Sequence, residues 1–293
     1  MMKIQLIAMD MDGTLLRKDN TISTKTKDAL IQLEKQGVKL VLASGRSYSR
    51  LLSYAKELEM DKYGGYLIEV NGVAIYDLQA DKRYVRARMP IEDAQFLFDY
   101  FTKWNVEYLG YLDRGVFDYN PSVLLEEKKA YRKQHGLSDD HPWTSGTFHF
   151  MADFRDGYPD IRTITSAEEI NEQLNKVVIT YHEEEMKEIA AIASEELSNR
   201  YWLGLTSPSW LEITMPSVTK GQGLQEVSTI TGIALENMMA FGDGENDLDL
   251  LMSAGVGVAM GNALDSVKEQ ADVVTLSNDE DGIYEAIKKY IGK

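Results

Sequence analysis

Asp10 and Asp12 stand two positions apart in Asp10-Met11-Asp12-Gly13-Thr14, directly after the apolar run Ile4-Gln5-Leu6-Ile7-Ala8-Met9. Residues two apart in extended chain lie on the same side, so these carboxylates can share a metal ion, a phosphoryl group or a proton. Gly13 lets the backbone turn sharply toward a bound anion, and Thr14 supplies a hydroxyl able to fix the second carboxylate. An acidic strand-to-loop turn without chemistry fits the same five residues, so partners elsewhere in the chain must decide.

Three further groups qualify as partners. Ser44-Gly45-Arg46 follows the apolar run 38–43, Lys220 sits in Thr219-Lys220-Gly221, and Gly242-Asp243-Gly244-Glu245-Asn246-Asp247 follows the apolar run 238–241. Asp10, Asp12 and Asp243 offer hard oxygen ligands, which suit Mg²⁺ far better than zinc. Ser44, Asn246, Lys220 and backbone N–H groups offer donors to a phosphate. Ser44 also reads as an ordinary helix cap, and Lys220 as a solvated surface lysine. With a cation present, one carboxylate can attack phosphorus to form an aspartyl phosphate. A second can protonate the leaving alcohol and then deprotonate water. Order and spacing give Asp10, at the strand end, the ionised nucleophile's part, and Asp12, further into the loop, the proton carrier's.

The elements that position these groups follow from periodicity. Apolar runs at 4–9, 38–43, 66–70, 238–241, 256–260 and 271–276 read as buried strands. Segments 23–36, 48–59, 223–230 and 282–291 read as helices, with Ser23 as a cap and Gly37 as a stop for the first. Strand, helix and strand within the first forty-odd residues make a right-handed βαβ unit, which brings Ser44 to the same sheet edge as Asp10. Asn71-Gly72 is a hairpin-like turn. Between residues 84 and 208 the βα rhythm gives way to aromatic-rich segments, with strands at 176–181 and 200–205 and a helix at 183–198. An α+β domain inserted into a mostly parallel α/β domain is therefore expected: 1–83 plus 209–293 as the core and 84–208 as the insert, with 210–213 already returned to the core. The insert's aromatics are read as core, and its histidines, His135, His141, His149 and His182, lack metal-ligand spacing.

Composition removes other classes. With 31 Lys plus Arg against 47 Asp plus Glu, the net charge of −16 repels nucleic acid and anionic membrane and favours divalent cations. The absence of cysteine excludes disulfides, thiolate zinc sites and cysteine nucleophiles. No apolar run is long enough to span a bilayer, and the first is too short for a signal peptide, so a cytoplasmic protein is expected.

Taken in order, Asp10-Met11-Asp12-Gly13-Thr14, Ser44, Lys220, and Gly242-Asp243 with Asn246-Asp247 resemble the four motifs of the haloacid dehalogenase superfamily of phosphatases. Asn71-Gly72-Val73, Leu211-Glu212-Ile213, Ala259-Met260-Gly261-Asn262-Ala263 and Asp281-Gly282-Ile283 resemble its Cof-type branch. The resemblance implies a Rossmann-like, doubly wound core with a large inserted α+β cap, acting with Mg²⁺ on small phosphorylated metabolites, most of all sugar phosphates. It implies Asp10 as nucleophile and metal ligand, Asp12 as general acid/base and ligand through its carbonyl, Asp243 as ligand, and Asp247 as support. Phosphate would fall to Met11, Thr14, Ser44, Gly45, Lys220 and Asn246, and substrate choice to cap groups, with candidates around Tyr108 to Tyr119 and His149. A phosphomutase passing the group to a second sugar hydroxyl is the nearest rival. A non-catalytic phosphometabolite sensor and a response-regulator receiver remain as other classes; the intact Asp12 speaks against the first and the large insert against the second.

Overall fold

The computed structural model describes residues 4–113, 115–139 and 160–291. The chain forms two compact units, Met1–Arg86 with Ser217–Lys293, and Ala87–Pro216. In chain order the strands are β1 (Leu6–Asp10), β2 (Lys39–Ala43), β3 (Tyr66–Glu69), β4 (Ala74–Asp77) and β5 (Lys82–Val85) in the first unit. The second unit follows with β6 (Glu107–Tyr111), β7 (Gly115–Tyr119), β8 (Asp160–Thr163), β9 (Lys176–Thr180), β10 (Trp202–Ser207) and β11 (Trp210–Thr214). The chain then returns for β12 (Met238–Gly242), β13 (Val256–Ala259) and β14 (Val273–Val274).

The first unit's sheet runs β14-β13-β12-β1-β2-β3-β4-β5. It is parallel from β14 to β3 and ends in the antiparallel pairs β3–β4 and β4–β5. Its central strands are apolar between their ends because both faces are covered. Ile7 and Met9 face one core with Leu30, Leu33, Leu51 and Ile283. Leu6 and Ala8 face the other with Leu224, Val227 and Leu250. This is the doubly wound arrangement. Helix Thr24–Lys35 stops before Gly37, whose φ of +91° an L side chain rarely adopts. The expected Ser23 cap is absent: its hydroxyl donates to the Asp281 carboxylate instead, so the residue ties this helix to the chain's last turn rather than satisfying its own N–H groups.

The second unit's sheet runs β10-β11-β9-β6-β7-β8, antiparallel except for β7–β8. Tyr108, Phe117, Val177, Ile179, Leu211 and Ile213 line one face, packed with Leu97, Phe101, Ile189 and Ala193 from helices Ile91–Phe101 and Glu183–Leu197. The opposite face holds two buried ion pairs, Lys128–Glu107 at 2.7 Å and Lys176–Glu212 at 2.6 Å. The return to the first unit comes later than residue 208. Segment 210–213 lies in β11, paired to β9 and β10, because its alternating Leu211 and Ile213 fill the second unit's core. Among the described residues no helix is long and apolar enough to cross a membrane.

Glu34, on helix Thr24–Lys35, is 3% exposed, and neither carboxyl oxygen has a hydrogen-bond partner among the described residues. Burial, reinforced by Glu59, pushes its pKa from 4.5 up to about 8. The folded state therefore binds the proton more tightly than the unfolded one. The contribution is present below pH 4.5 and is lost as pH rises toward 8. Glu34→Gln is expected to unfold later than wild type in urea at pH 9, by about 1–3 kcal/mol, with the difference closing toward pH 4.5. Parallel stability curves for the two proteins across this range would contradict it.

Candidate active site

β1 lies between β2 and β12, where successive strands leave on opposite sides of the sheet, and such a switch point opens a crevice at the strands' carboxyl ends. Asp10 is the last residue of β1, and register sets it beside Ala43, so Ser44 leaves β2 one residue further along. Asp243 follows β12, whose Phe241 pairs with Met9. Lys220 opens helix Lys220–Thr231 behind the Thr219 cap, whose Oγ1 accepts the Gln222 N–H at 3.2 Å. Gly221 next to it has no Cβ, which would stand 2.4 Å from the Asp249 carbonyl oxygen.

Lys220 is 1% exposed, and its Nζ donates to Asp10 Oδ1 at 2.7 Å and to Asp247 Oδ1 at 2.6 Å. The surface-lysine reading is thereby excluded. Asp247 Oδ2 accepts the backbone N–H groups of Asp243 and Gly244, each at 3.0 Å. Asp10, Asp243 and Asp247 each bring a carboxylate oxygen within 4.8 Å of the others. Burial pushes the Asp10 carboxyl well above the ordinary range; Asp247 and Asp243 add to this, and Lys220 opposes it. Burial likewise pushes Asp243 up to about 6, against the hydrogen bond it accepts from Thr14. Burial would strip the Lys220 proton, but Asp10 and Asp247 more than offset that and raise its pKa. Three carboxylates against one ammonium leave an excess of buried negative charge. A hard divalent cation fits that excess, with Asp10 Oδ2 and Asp243 Oδ2 the oxygens that no hydrogen bond engages among the described residues.

Several expected roles change. Thr14 Oγ1 donates to Asp243 Oδ1 at 2.7 Å, so this 1% exposed hydroxyl fixes the distant aspartate and is turned to neither a phosphate nor Asp12. The Asp12 carboxylate is not in the triad; Asp247 stands there instead, and Asp12 pairs with Arg46. The Met11 side chain is buried in the core, leaving only its backbone for the site. Ser44 is 2% exposed and caps no helix: Ser47 precedes helix Tyr48–Glu57, and Glu69 Oε2 accepts the Tyr48 N–H. Ser44 Oγ accepts the Arg46 N–H at 3.2 Å, which leaves its own hydrogen to donate. Gly45 and Asn246 are half-buried at the same edge, Asn246 directly before Asp247. Gly13, at φ +82°, is required twice over, since a Cβ would lie 2.3 Å from Asp243 Oδ2. Of the second-unit candidates, Tyr108 is core, its hydroxyl donating to the Ala94 carbonyl at 3.0 Å. Tyr111 lies under Lys176 on the other face, and Tyr119 packs on Phe98. His149 and His141 lie outside the described residues. His135 stacks on Tyr131, and His182 stands 3.4 Å from Glu127.

Two residues with no role in the sequence reading hold the loop after Asp10. Asn262 Nδ2 donates to the Gly13 carbonyl at 2.8 Å, and Asn278 Nδ2 to the Leu16 carbonyl at 2.7 Å. The Asn278 N–H in turn donates to Asn262 Oδ1 at 3.0 Å. Asn262 sits in the Met260-Gly261-Asn262 segment already singled out, whereas Asn278 carries no local signal.

Lys220→Met leaves Asp10 and Asp247 buried without their cation. It is expected to cost about 3–5 kcal/mol in urea unfolding at pH 7.5 without added metal, and Asp10→Asn in the same chain should recover part of the loss. A double variant no more stable than Lys220→Met would show that the Asp10 charge is not what the lysine compensates.

Comparison with known proteins sets this geometry in context. The family model of haloacid dehalogenase-like hydrolases matches residues 7–287. The 5-amino-6-(5-phospho-D-ribitylamino)uracil phosphatase YitU of Bacillus subtilis is 30% identical over 98% of both chains. The HMP-PP phosphatase of Yersinia pseudotuberculosis is 30% identical over 91% of this chain and 87% of its own. Among solved structures, the HAD subclass IIB sugar phosphatase BT4131 superimposes with a TM-score of 0.74 at 26% identity, over 98% of both chains.

Proposed function

Since the chain belongs to the haloacid dehalogenase-like hydrolases and is a phosphoric monoester hydrolase, we propose that it is a Mg²⁺-dependent phosphatase of small phosphorylated metabolites, sugar and polyol phosphates above all. The observation that carries the reading is Lys220 buried between Asp10 and Asp247, with Asp243 beside them, at the carboxyl ends of β1 and β12. Mg²⁺, when bound by Asp10 and Asp243, supplies the positive charge that offsets repulsion between a carboxylate and a phosphate.

The chain's own residues then divide the work. Lys220 holds the Asp10 carboxylate in place through Oδ1. The Asp10 carboxylate attacks phosphorus as the bond to the leaving oxygen breaks, and Asp12 gives that oxygen its proton. Asp12 next takes a proton from water. The resulting hydroxide attacks the aspartyl phosphate, releasing phosphate and restoring Asp10. Ser44, Gly45, Asn246 and the Met11 backbone surround the phosphoryl position. The unit Ala87–Pro216 is assigned the substrate-selecting cap. One relative is by name a 5-amino-6-(5-phospho-D-ribitylamino)uracil phosphatase and one solved neighbour a sugar phosphatase, which supports this substrate class.

The test is phosphate release from sugar phosphates, nucleotides, pyridoxal phosphate and flavin mononucleotide, with Mg²⁺ or EDTA. Release is expected from sugar and polyol esters only with Mg²⁺, and Asp10→Asn should lower it at least about a thousandfold. Isomerised sugar phosphate with little free phosphate would replace the hydrolase by a mutase. Tight binding without turnover would replace it by a sensor.

A further inference from the structure

Arg46 has no part in the reaction as derived above, yet it makes the hydrogen bonds that hold the Asp12 side chain. Its Nε donates to Asp12 Oδ2 at 3.0 Å and its Nη2 to Asp12 Oδ1 at 2.5 Å, the two-armed grip that a lysine cannot reproduce. The partners are unequally placed: the Arg46 side chain is 18% exposed and that of Asp12 58%. Arg46 is anchored from several directions. Its carbonyl accepts the Val70 N–H at 3.0 Å, and its own N–H donates to Ser44 Oγ. Its guanidinium carbon lies 5.8 Å from the ring centre of the buried Tyr54. Asp12, by contrast, sits in a glycine-flanked loop. A fixed guanidinium gripping an exposed carboxylate decides where the carboxylate points, and the converse does not hold.

We infer that Arg46 is a positioning residue for proton transfer, acting through Asp12 and not on the phosphoryl group. The inference rests on the reading of Asp12 as proton carrier. Proton transfer requires the carboxyl within hydrogen-bond reach of the leaving oxygen, and misplacement by about 1 Å costs on the order of a hundredfold. An alkoxide leaving group needs that proton, whereas p-nitrophenolate leaves without it. Loss of Arg46 therefore acts selectively on alkyl esters.

The experiment measures kcat/KM, which reports cleavage of the bond to the leaving group, for p-nitrophenyl phosphate and for the alkyl phosphate that wild type hydrolyses best. The variants are Arg46→Met, Arg46→Lys, Asp12→Asn and the Arg46→Met/Asp12→Asn double. Arg46→Met is expected to lose about 10–100-fold on the alkyl ester and less than about threefold on the aryl ester, with partial recovery in Arg46→Lys. The double variant is expected to lose no more than Asp12→Asn alone. Comparing two esters within one variant cancels any unfolded fraction. Equal losses on both esters in Arg46→Met, with selective loss in Asp12→Asn, would overturn this inference alone, as would losses that multiply in the double variant. Equal losses in Asp12→Asn as well would overturn the proton-carrier reading and this inference with it.

Discussion

The Lys220 ammonium, buried between Asp10 and Asp247, is the constraint on which the first unit depends. Those two aspartates lie 237 residues apart, and the lysine stands 210 residues from one and 27 from the other. One cation thus joins the start of the chain to its last third at the centre of the sheet. Removing charged groups from water is costly: burial raises Asp10 and Asp243 against ionisation, and the neighbouring carboxylates add to it. A stable hydrophobic core would not contain such a cluster for its own sake. The site stores an electrostatic imbalance that a divalent cation is suited to relieve, which is the physical link between this packing and phosphoryl chemistry.

The loop after Asp10 is held by the far end of the chain in the same manner. Thr14 reaches Asp243, Gly13 is held by Asn262, Leu16 by Asn278, and Arg17 and Ser23 both reach Asp281. Each contact links the first two dozen residues to positions beyond 240. The long interruption between the two flanks therefore leaves the site's own scaffold continuous, because the flanks are stitched through side chains as well as through the β1–β12 ladder.

The second unit has its own core and its own buried charges. Lys128–Glu107 and Lys176–Glu212 lie on the face opposite helices Ile91–Phe101 and Glu183–Leu197, the first reaching Glu107 from helix Ser122–Gln134, and burial pushes Glu107 up to about 7 against the pull of Lys128. Paired charges of this kind contribute little net stability but tolerate few alternative registers, since a one-residue slip of β9 against β11 would turn Lys176 or Glu212 to the other face and leave its partner buried alone.

What the sequence determined by itself was local: buried strands ending in Asp10, Ser44 and Asp243, the glycines around them, and a helix that begins just past Lys220. These follow from apolar periodicity, from turn residues and from where parallel sheets leave their strand ends, all of which act over a few residues. The tertiary structure decided which oxygen meets which donor. It turned Thr14 to Asp243, drew Asp247 into the triad in place of Asp12, paired Asp12 with Arg46, sent the Ser23 hydroxyl to Asp281, and placed β11 in the second sheet. Nothing in a short window specifies such partners, because a hydroxyl, a carboxylate or an alternating strand can be satisfied in several ways. The choice is made by the register and packing that bring residues hundreds of positions apart to within about 3 Å.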